Sequence, residues 1–198
     1  MSPSMTKPSR RATIADLDAL PGDGRAELID DVIYEVGERD FESGHVRTRI
    51  LMDIVPPYEI RATGADRWWV QGPNDFVAGG NVFRPDLLGW RRLRLPSPSR
   101  TERVDVVPDW IGELINRENR DHVLGRKRPA YAKLGVKQLW LVEISERVLT
   151  ALELSDGVWR ELGKFAAGEG VHLPPFEAVR LETGAWWPPE APLDRRER

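Results

Sequence analysis

The sequence predicts an α/β fold with a β-α-β unit at its centre. An apolar strand over 109–115, a helix over 121–134 and a buried apolar strand over 138–142 follow one another along the chain. Two strands joined through such a helix are expected to be parallel, with a right-handed crossover. A chain of 198 residues is long enough for one ordinary α/β domain and short for two. We therefore expect a single domain.

This domain is expected to cover 13–187, between two tails. Residues 1–12 are polar and basic with no apolar segment behind them, so they are expected to form a flexible tail and not a secretory signal. Residues 188–198 are rich in proline and charge and are expected to be loose. The sequence contains no apolar run near the roughly 18 residues of a membrane span. A cytoplasmic location follows as the default expectation.

Two further helices are predicted before the β-α-β unit. Thr13 followed by Asp16 has the pattern of an N-cap with an acid at N3, and the helix that it opens is expected to end at the Pro-Gly-Asp-Gly sequence of 21–24. Ser43 is expected to cap a helix over 45–54, which the proline pair that follows terminates.

The remaining strands are predicted from β-branched, aromatic and alternating apolar residues, and they lie at 27–29, 32–34, 67–71, 82–90, 148–154 and 158–165. The first two form a hairpin around Asp30-Asp31, a turn without the glycine that accepts a positive φ at no steric cost. The last two form a hairpin around Asp156-Gly157, a strong turn signal. A loop rich in arginine and serine is expected over 93–106.

The composition restricts the chemistry that the chain can perform. Cysteine is absent, which excludes disulfides, thiolate catalysis and zinc sites built on cysteine. The histidines are His45, His122 and His172, and their spacing gives no sign of a three-histidine zinc site. Any metal is therefore expected to be a hard cation held by carboxylates.

The net charge of −3 and the sequence pI of about 5.7 are unlike those of a protein that coats nucleic acid. They are compatible with an enzyme that gathers carboxylates at one site and basic groups around it. A group of arginines lies close together in the sequence and is either such a basic surface or a set of solvated loop residues: Arg84, Arg91, Arg92, Arg94, Arg100 and Arg103.

Two carboxylates stand inside apolar segments. Asp86 lies in the predicted strand 82–90 and Glu113 in the strand 109–115, where an unpaired charge is costly to bury. Two acids that project from adjacent strands to one side would repel each other, unless a cation lies between them or one of them is protonated. A metal site explains both residues economically. The alternative for Asp86 is a pair with Arg84 or a cap on a turn.

Three further residues are candidates for the same site. Lys127 lies on the helix after Glu113 and could orient a water molecule or stabilise charge on a phosphate, although a helical lysine is usually a solvated surface group. Glu27 opens an apolar strand. His45 lies at the start of a helix, where a histidine more often packs or caps than catalyses.

The ordered set of these motifs resembles the Uma-type restriction endonuclease family, within the PD-(D/E)XK nuclease superfamily, from about Arg11 to Trp187. The segments with this resemblance are Arg-Ala-Glu-Leu-Ile-Asp at 25–30, Ser-Gly-His at 43–45, Arg-Pro-Asp-Leu-Leu-Gly-Trp at 84–90, Val-Pro-Asp-Trp-Ile-Gly-Glu-Leu at 107–114, Lys127, Tyr131, Gly135-Val136 and Leu-Trp-Leu-Val at 139–142. The resemblance implies a restriction-endonuclease-like core, in which helices flank a mixed central β-sheet, with additional β-hairpins.

The resemblance also implies a site for phosphodiester hydrolysis in DNA. Asp86 matches the aspartate of the family motif and Glu113 its second acid, and together with the main-chain carbonyl of Leu114 they would hold Mg²⁺ or Mn²⁺. Lys127 matches a lysine that the family often places on the following helix. Glu27 and His45 match an early acid and a histidine at a helix start, and would form a supporting shell or a second metal site.

The chain also departs from the family pattern. The usual strand lysine is replaced by Ile115, the loop after the strand reads Asn-Arg-Glu-Asn at 116–119, and Val123 replaces an acid. The alternative to an active endonuclease is therefore a catalytically impaired nuclease-like module for DNA binding or assembly. The 8 tryptophans and the geometry of nucleases suggest a homodimer.

Overall fold

The computed structural model describes residues 11–21, 26–37, 40–97 and 103–189. The predicted tails therefore lie largely outside the described residues, as does most of the turn predicted at 21–24. No helix in these described ranges is long and apolar enough to cross a membrane.

The strands of the described residues are β1 (Ala26–Ile29), β2 (Val32–Glu35), β3 (Trp68–Gln71), β4 (Phe76–Ala78), β5 (Asn81–Phe83), β6 (Leu87–Arg91), β7 (Trp110–Ile115), β8 (Gln138–Glu143), β9 (Val148–Ser155), β10 (Val158–Ala166), β11 (Gly170–Val171) and β12 (Leu181–Glu182). The helices are α1 (Ile14–Asp18), α2 (Phe41–Val55), α3 (Arg120–His122) and α4 (Arg128–Leu134). A π-helical segment, Pro56–Arg61, continues α2, and a second, Val123–Lys127, joins α3 to α4. Short 3₁₀ turns form at Gly64–Asp66 and Thr183–Ala185.

The main sheet has six strands in the order β10-β9-β8-β7-β6-β3. Strands β7 and β8 are parallel, as the β-α-β pattern predicts, and the other neighbours are antiparallel, so the sheet is mixed. A smaller antiparallel sheet has the order β2-β1-β5-β4. The predicted α/β fold with a mixed central sheet and additional hairpins is confirmed.

Side chains that alternate along β7 point to two different cores. Trp110 and Leu114 pack with the buried residues of α2, whereas Ile111 and Ile115 pack with Tyr131 of α4. This alternation is the ordinary two-residue period of a strand. Glu113 shares the face of Ile111 and Ile115 and therefore lies on the same side of the sheet as α4.

The predicted capping of the first helix is confirmed, and that of the second is wrong. Thr13 and Asp16 form a reciprocal capping box at the start of α1. Asp40, and not Ser43, is the N-cap of α2, because its carboxylate accepts the amide of Ser43 at 2.6 Å. Ser43 is thus inside the helix and buried. The proline pair does not end the helix either, since Pro56 and the residue after it begin the first π-helical segment.

Both hairpin turns form as predicted. Asp30 and Asp31 have φ angles of 50° and 63°, and Asp156 and Gly157 have φ angles of 52° and 76°. Aspartate tolerates this left-handed region better than most residues with a Cβ atom, which allows a two-residue turn without glycine at the first hairpin.

The strand predicted over 82–90 is two strands in two different sheets. Strand β5 belongs to the small sheet and β6 to the main sheet, and Arg84, Pro85 and Asp86 link them. A proline cannot donate a ladder hydrogen bond, which favours the interruption at this point. Asp86 therefore lies at the passage from one sheet to the other and not within a strand.

Gly112 allows a close contact beside the buried acid of β7. A Cβ atom at this position would lie 3.0 Å from Cβ and 3.1 Å from Cδ1 of Leu87, which faces it on β6. By contrast, no heavy atom lies within 4 Å of a Cβ atom built on Gly125 in the second π-helical segment. The main sheet therefore needs glycine at 112 for its packing.

We expect Gly112→Ala to lower the free energy of unfolding by about 1–3 kcal/mol, the usual cost of an overpacked core. The control Gly125→Ala is expected to be neutral or to stabilise by up to about 1 kcal/mol, because alanine favours helical backbone. Urea denaturation followed by circular dichroism measures both. Equal midpoints for wild type and Gly112→Ala would contradict this account of the β6–β7 contact.

Candidate active site

A cavity of about 250 Å³ opens where the two sheets meet. Its wall is formed by the β1–β2 hairpin, the link between β5 and β6, the second half of β7 and the second π-helical segment. The structure brings four of the predicted site residues together in this wall, Glu27, Asp86, Glu113 and Lys127, and Leu114 lies beside them. These residues are far apart in the sequence, and their convergence follows from the sheet topology.

Lys127 lies between two buried acids. Its Nζ is 2.9 Å from Oε1 of Glu27 and 2.8 Å from Oε1 of Glu113, and it also donates to the carbonyl of Arg84 at 3.2 Å. The lysine side chain is only 4% exposed, so this is not the solvated surface lysine that a helical position usually holds. It is the last residue of the π-helical segment, a local widening of the helix that is often found at functional sites.

Glu113 is anchored through one of its two carboxylate oxygens. Oε1 accepts from the hydroxyl of Tyr131 at 2.6 Å as well as from Lys127. Tyr131 lies on α4, one helical turn beyond the lysine, and no role beyond its place in the motif was predicted for it. Oε2 of Glu113 takes no hydrogen bond from the described residues.

Glu27, by contrast, uses both of its carboxylate oxygens. Oε1 accepts from the amide of Arg84 at 2.6 Å and from Lys127, and Oε2 lies 2.7 Å from Nε2 of His122. The residue is fully buried. Such a saturated carboxylate orients its partners and has little capacity left for a metal ion.

Asp86 is held against the end of β7. Its Oδ2 accepts from the amide of Leu114 at 2.9 Å, and Oδ1 is 3.7 Å from a guanidinium nitrogen of Arg47 on α2. The sequence alternative of a pair with Arg84 is wrong, since Arg84 instead makes a bidentate pair with Asp75 at 2.6 and 3.1 Å. Sequence analysis missed Arg47, because nothing in its helical position indicates that it approaches an acid 39 residues later in the chain.

Burial and neighbouring charges shift the pKa values of Glu113 and Glu27 in opposite directions. Burial, reinforced by the carboxylates of Asp86 and Glu27, raises the pKa of Glu113 to about 7 despite the ammonium of Lys127. Burial also opposes ionisation of Glu27, but Lys127 and the hydrogen bonds from His122 and the Arg84 amide outweigh it and lower its pKa to about 2. Burial disfavours the charged lysine, yet the surrounding carboxylates raise the pKa of Lys127 above its usual value.

The cavity contains His122 and not the predicted His45. His45 lies in the first turns of α2, where its ring is 6.2 Å from that of Phe41, and it is not among the residues that line the cavity. His122, at the end of α3, lines the cavity and packs its ring 4.8 Å from that of Tyr34. His122 was not predicted as a site residue: it precedes Lys127 by five positions on the same helical stretch, but the partner that reveals its role, Glu27, is 95 residues away.

The arginines that cluster in the sequence are bound within the fold. Arg91 and Arg92 stack on Trp68 and Trp69, and Arg94 pairs with Asp109 at 2.7 Å. Arg103 pairs with Asp18 at 2.7 Å. These side chains stabilise the edge of the sheet and the loops around it, and Arg100 lies outside the described residues.

The loop after β7 donates a hydrogen bond to the Leu114 carbonyl, which was expected to bind a metal. Asn119 donates from Nδ2 to the carbonyl of Leu114 at 2.8 Å. Asn116 and Asn119 also bond each other's amides at 3.0 and 2.9 Å, which closes the loop on itself. The described residues contain no group of three or more histidine and acidic side chains arranged to hold a metal ion. The expected donor set contains only two side chains, Asp86 and Glu113.

The comparisons with known proteins agree on the class of fold. A crystal structure described as "a putative nuclease belonging to DUF820", from Anabaena variabilis, superposes with a TM-score of 0.69 over 88% of this chain and 96% of that chain, at 16% sequence identity. The fold is thus that of a nuclease-like α/β protein. Residues 14–184 match the sequence model of the Uma2 family, described as "Putative restriction endonuclease", and this chain belongs to that family. No curated protein matches it.

The raised pKa of Glu113 predicts a specific pH dependence of stability. Between its ordinary value of 4.5 and about 7, the unfolded chain releases the proton of Glu113 and the folded protein keeps it. The free energy of unfolding should therefore decrease across this window as pH rises, by up to about 3 kcal/mol at roughly 1.4 kcal/mol per pKa unit. The contribution is complete below pH 4.5 and lost above pH 7.

Urea denaturation of metal-free wild type and Glu113→Gln at several pH values tests this. The variant cannot titrate at this position, so its stability relative to wild type is expected to rise from pH 5 to pH 8. Parallel stability curves for the two proteins would show that Glu113 does not keep its proton in the fold.

Proposed function

We propose that this protein is a divalent-metal-dependent endonuclease of the PD-(D/E)XK type that hydrolyses phosphodiester bonds in DNA. The observation that supports this most directly is the convergence of Asp86, Glu113, Lys127 and Glu27 on one cavity of about 250 Å³. The description of the family points to the same reaction class.

The residues present fit a hard divalent cation. Among the described residues, five carboxylates line the cavity, against two fixed cations, Arg84 and Lys127. Burial, reinforced by the carboxylates of Asp86 and Glu27, raises the pKa of Glu113 to about 7, and its Oε2 accepts no hydrogen bond from the described residues. Mg²⁺ is typically bound through one or two carboxylates together with water and substrate phosphate, so a set of two acids is sufficient.

Asp86, Glu113 and the carbonyl of Leu114 would hold the cation, Mg²⁺ or Mn²⁺. The chemistry that it supplies when bound is neutralisation of charge on the scissile phosphate and activation of water. The protein contributes the rigidity of the donors: the Leu114 amide fixes Asp86 and the Tyr131 hydroxyl fixes Glu113.

Lys127 supplies a fixed positive charge in the same wall. Since its ammonium is held by two carboxylates, it remains protonated, and its positive charge can stabilise negative charge on a phosphate. Glu27 keeps it in place and also fixes the main chain at Arg84, next to the link that bears Asp86. We assign Glu27 a positioning role on these contacts.

The rival function is a nuclease-like module that binds DNA or supports assembly without cleaving. The observation that favours it is the bond from Asn119 to the Leu114 carbonyl, because a carbonyl that already accepts a hydrogen bond is a weaker donor to a metal. The two functions differ in whether the wild-type protein binds the cation and cleaves DNA.

Purified protein is expected to nick or linearise supercoiled plasmid DNA in the presence of Mg²⁺ or Mn²⁺. Asp86→Asn and Glu113→Gln should each reduce the rate by at least about 100-fold, the scale of a lost charge-stabilising group. Glu161→Gln changes charge in the same way on the exposed part of β10 and is the matched control. Equal rates in Asp86→Asn, Glu113→Gln and wild type would reject the proposed site.

Binding of the cation can be measured without DNA. At 100 times Kd, Mn²⁺ should add about 2.7 kcal/mol to the stability of the folded protein and raise its melting temperature. The increase should be absent in Glu113→Gln and present in Glu161→Gln. A wild-type protein that shows no increase and no cleavage would favour the non-cleaving module.

A further inference from the structure

His122 and Glu27 form a pair in which the histidine is oriented by a buried carboxylate. The distance from Nε2 to Oε2 is 2.7 Å, and the histidine side chain is 23% exposed while that of Glu27 is fully buried. The ring also packs on Tyr34, with centroids 4.8 Å apart. The carboxylate and the aromatic ring together restrict the imidazole to one orientation.

This pair fixes which nitrogen of His122 holds the proton. Glu27 already accepts two hydrogen bonds on Oε1 and is ionised, so its Oε2 can only accept. The proton between them therefore belongs to Nε2, and in the neutral ring the lone pair belongs to Nδ1. Nδ1 takes no hydrogen bond from the described residues and is not one of their buried unpartnered atoms, so it reaches solvent.

The other polar groups in the inner wall cannot accept a proton during the reaction. Lys127 donates to three acceptors, the two glutamates and the Arg84 carbonyl, and an ammonium has no lone pair. Both oxygens of Glu27 are already occupied. Of the other acids that line the cavity, Asp86 and Glu113 are proposed to hold the cation, and Glu35 and Glu118 are exposed and lie outside this inner wall. An activated water molecule still has to lose a proton to some group.

We propose that His122 is the general base of this site and accepts the proton of the attacking water at Nδ1. This inference rests on the proposed hydrolytic function. As the O–H bond of water breaks, its proton passes to Nδ1 and its electron pair forms the new O–P bond. The P–O bond to the leaving sugar oxygen breaks with its electron pair, and that oxygen takes a proton from solvent. Glu27 stabilises the resulting imidazolium through Nε2.

Several charged groups line the cavity together with the imidazole. Besides the two proposed metal ligands, these are Glu27 and Glu35 on the hairpin, Arg84 on the link, Glu118 in the loop before α3 and Lys127 on the π-helical segment. Tyr34 contributes its ring.

Two substitutions separate a chemical role from a structural one. His122→Gln places an amide nitrogen where Nε2 lies, so it can still donate to Glu27, but it has no basic nitrogen. His122→Ala leaves space beside Tyr34 that free imidazole can enter. His172→Gln is the control, because His172 is exposed and bonds only the carbonyl of Glu177 among the described residues.

The experiment measures single-turnover nicking of supercoiled plasmid at saturating Mn²⁺ over a range of pH, together with the Mn²⁺-induced rise in melting temperature. Saturating metal removes the titration of Glu113 from the profile. We expect His122→Gln to slow nicking by about 10²–10⁴-fold and to lose the rise of rate with pH, while its Mn²⁺ response equals that of wild type. Imidazole should partly restore His122→Ala, and His172→Gln should behave as wild type.

Three results would overturn this inference. Nicking by His122→Gln at the wild-type rate would show that a hydrogen-bond donor to Glu27 is sufficient. Loss of the Mn²⁺ response in His122→Gln would make His122 part of the metal site and not the base. A wild-type protein that does not nick would reject the proposed function itself, and this failure is distinct because it appears before any histidine variant is compared.

Discussion

The ammonium of Lys127 is the interaction on which the rest of the site depends. It joins Glu27 of the small sheet to Glu113 of the main sheet at 2.9 and 2.8 Å, and all three side chains are almost fully buried. Two buried carboxylates that both contact one ammonium would, without it, repel each other in a medium of low polarity. Removal of the lysine would leave both carboxylates without this ammonium. The same cation therefore holds the two sheets together at this point and determines the charge of the cavity.

The same arrangement accounts for the absence of a lysine from strand β7. Position 115 lies two residues after Glu113 and therefore on the same face of the sheet, but Ile115 packs there in the core with Val123 and Tyr131. The charge reaches the acid from the facing helix instead. The π-helical segment places Val123 in that core and Lys127 at the acids, both of them buried. An apolar strand and a charged site thus coexist on one face.

Sequence reasoning could predict those parts of the fold that depend on local patterns. The capping box of Thr13, the turn at Asp156-Gly157 and the parallel pair β7–β8 each follow from neighbouring residues, and each is confirmed. The errors lie where tertiary contacts prevail over local signals. Asp40 caps α2 in place of Ser43, and the strand expected over 82–90 divides because its two halves pair with different sheets.

The residues of the site also fall into those that a local pattern could predict and those that it could not. Asp86, Glu113 and Lys127 could be selected because charges in apolar segments, or within a recognised motif, are conspicuous in a sequence. His122 and Arg47 could not, since each is an ordinary polar residue on a helix until the fold brings it to a carboxylate, at 2.7 and 3.7 Å. The choice between His45 and His122 depends on which helical position faces the cavity, since Ser43 of α2 also lines it, and no local pattern encodes that.

The excess of carboxylates over cations in the cavity bears on whether the site binds a metal ion or only binds DNA. In the part of the chain that the structure describes, five carboxylates and two cations line the cavity, and this excess of negative charge would repel a nucleic acid. Burial of Glu113 together with Asp86 and Glu27 also costs stability, as the raised pKa of Glu113 shows. A surface that only binds DNA would be better served by exposed arginines, yet the described arginines of the cluster at 84–103 are engaged with tryptophans and acids of the same fold. A cluster of acids opposes both folding and DNA binding, and it is consistent with a site that binds a cation. A bound cation would neutralise the carboxylates and attract the phosphate group that they otherwise repel.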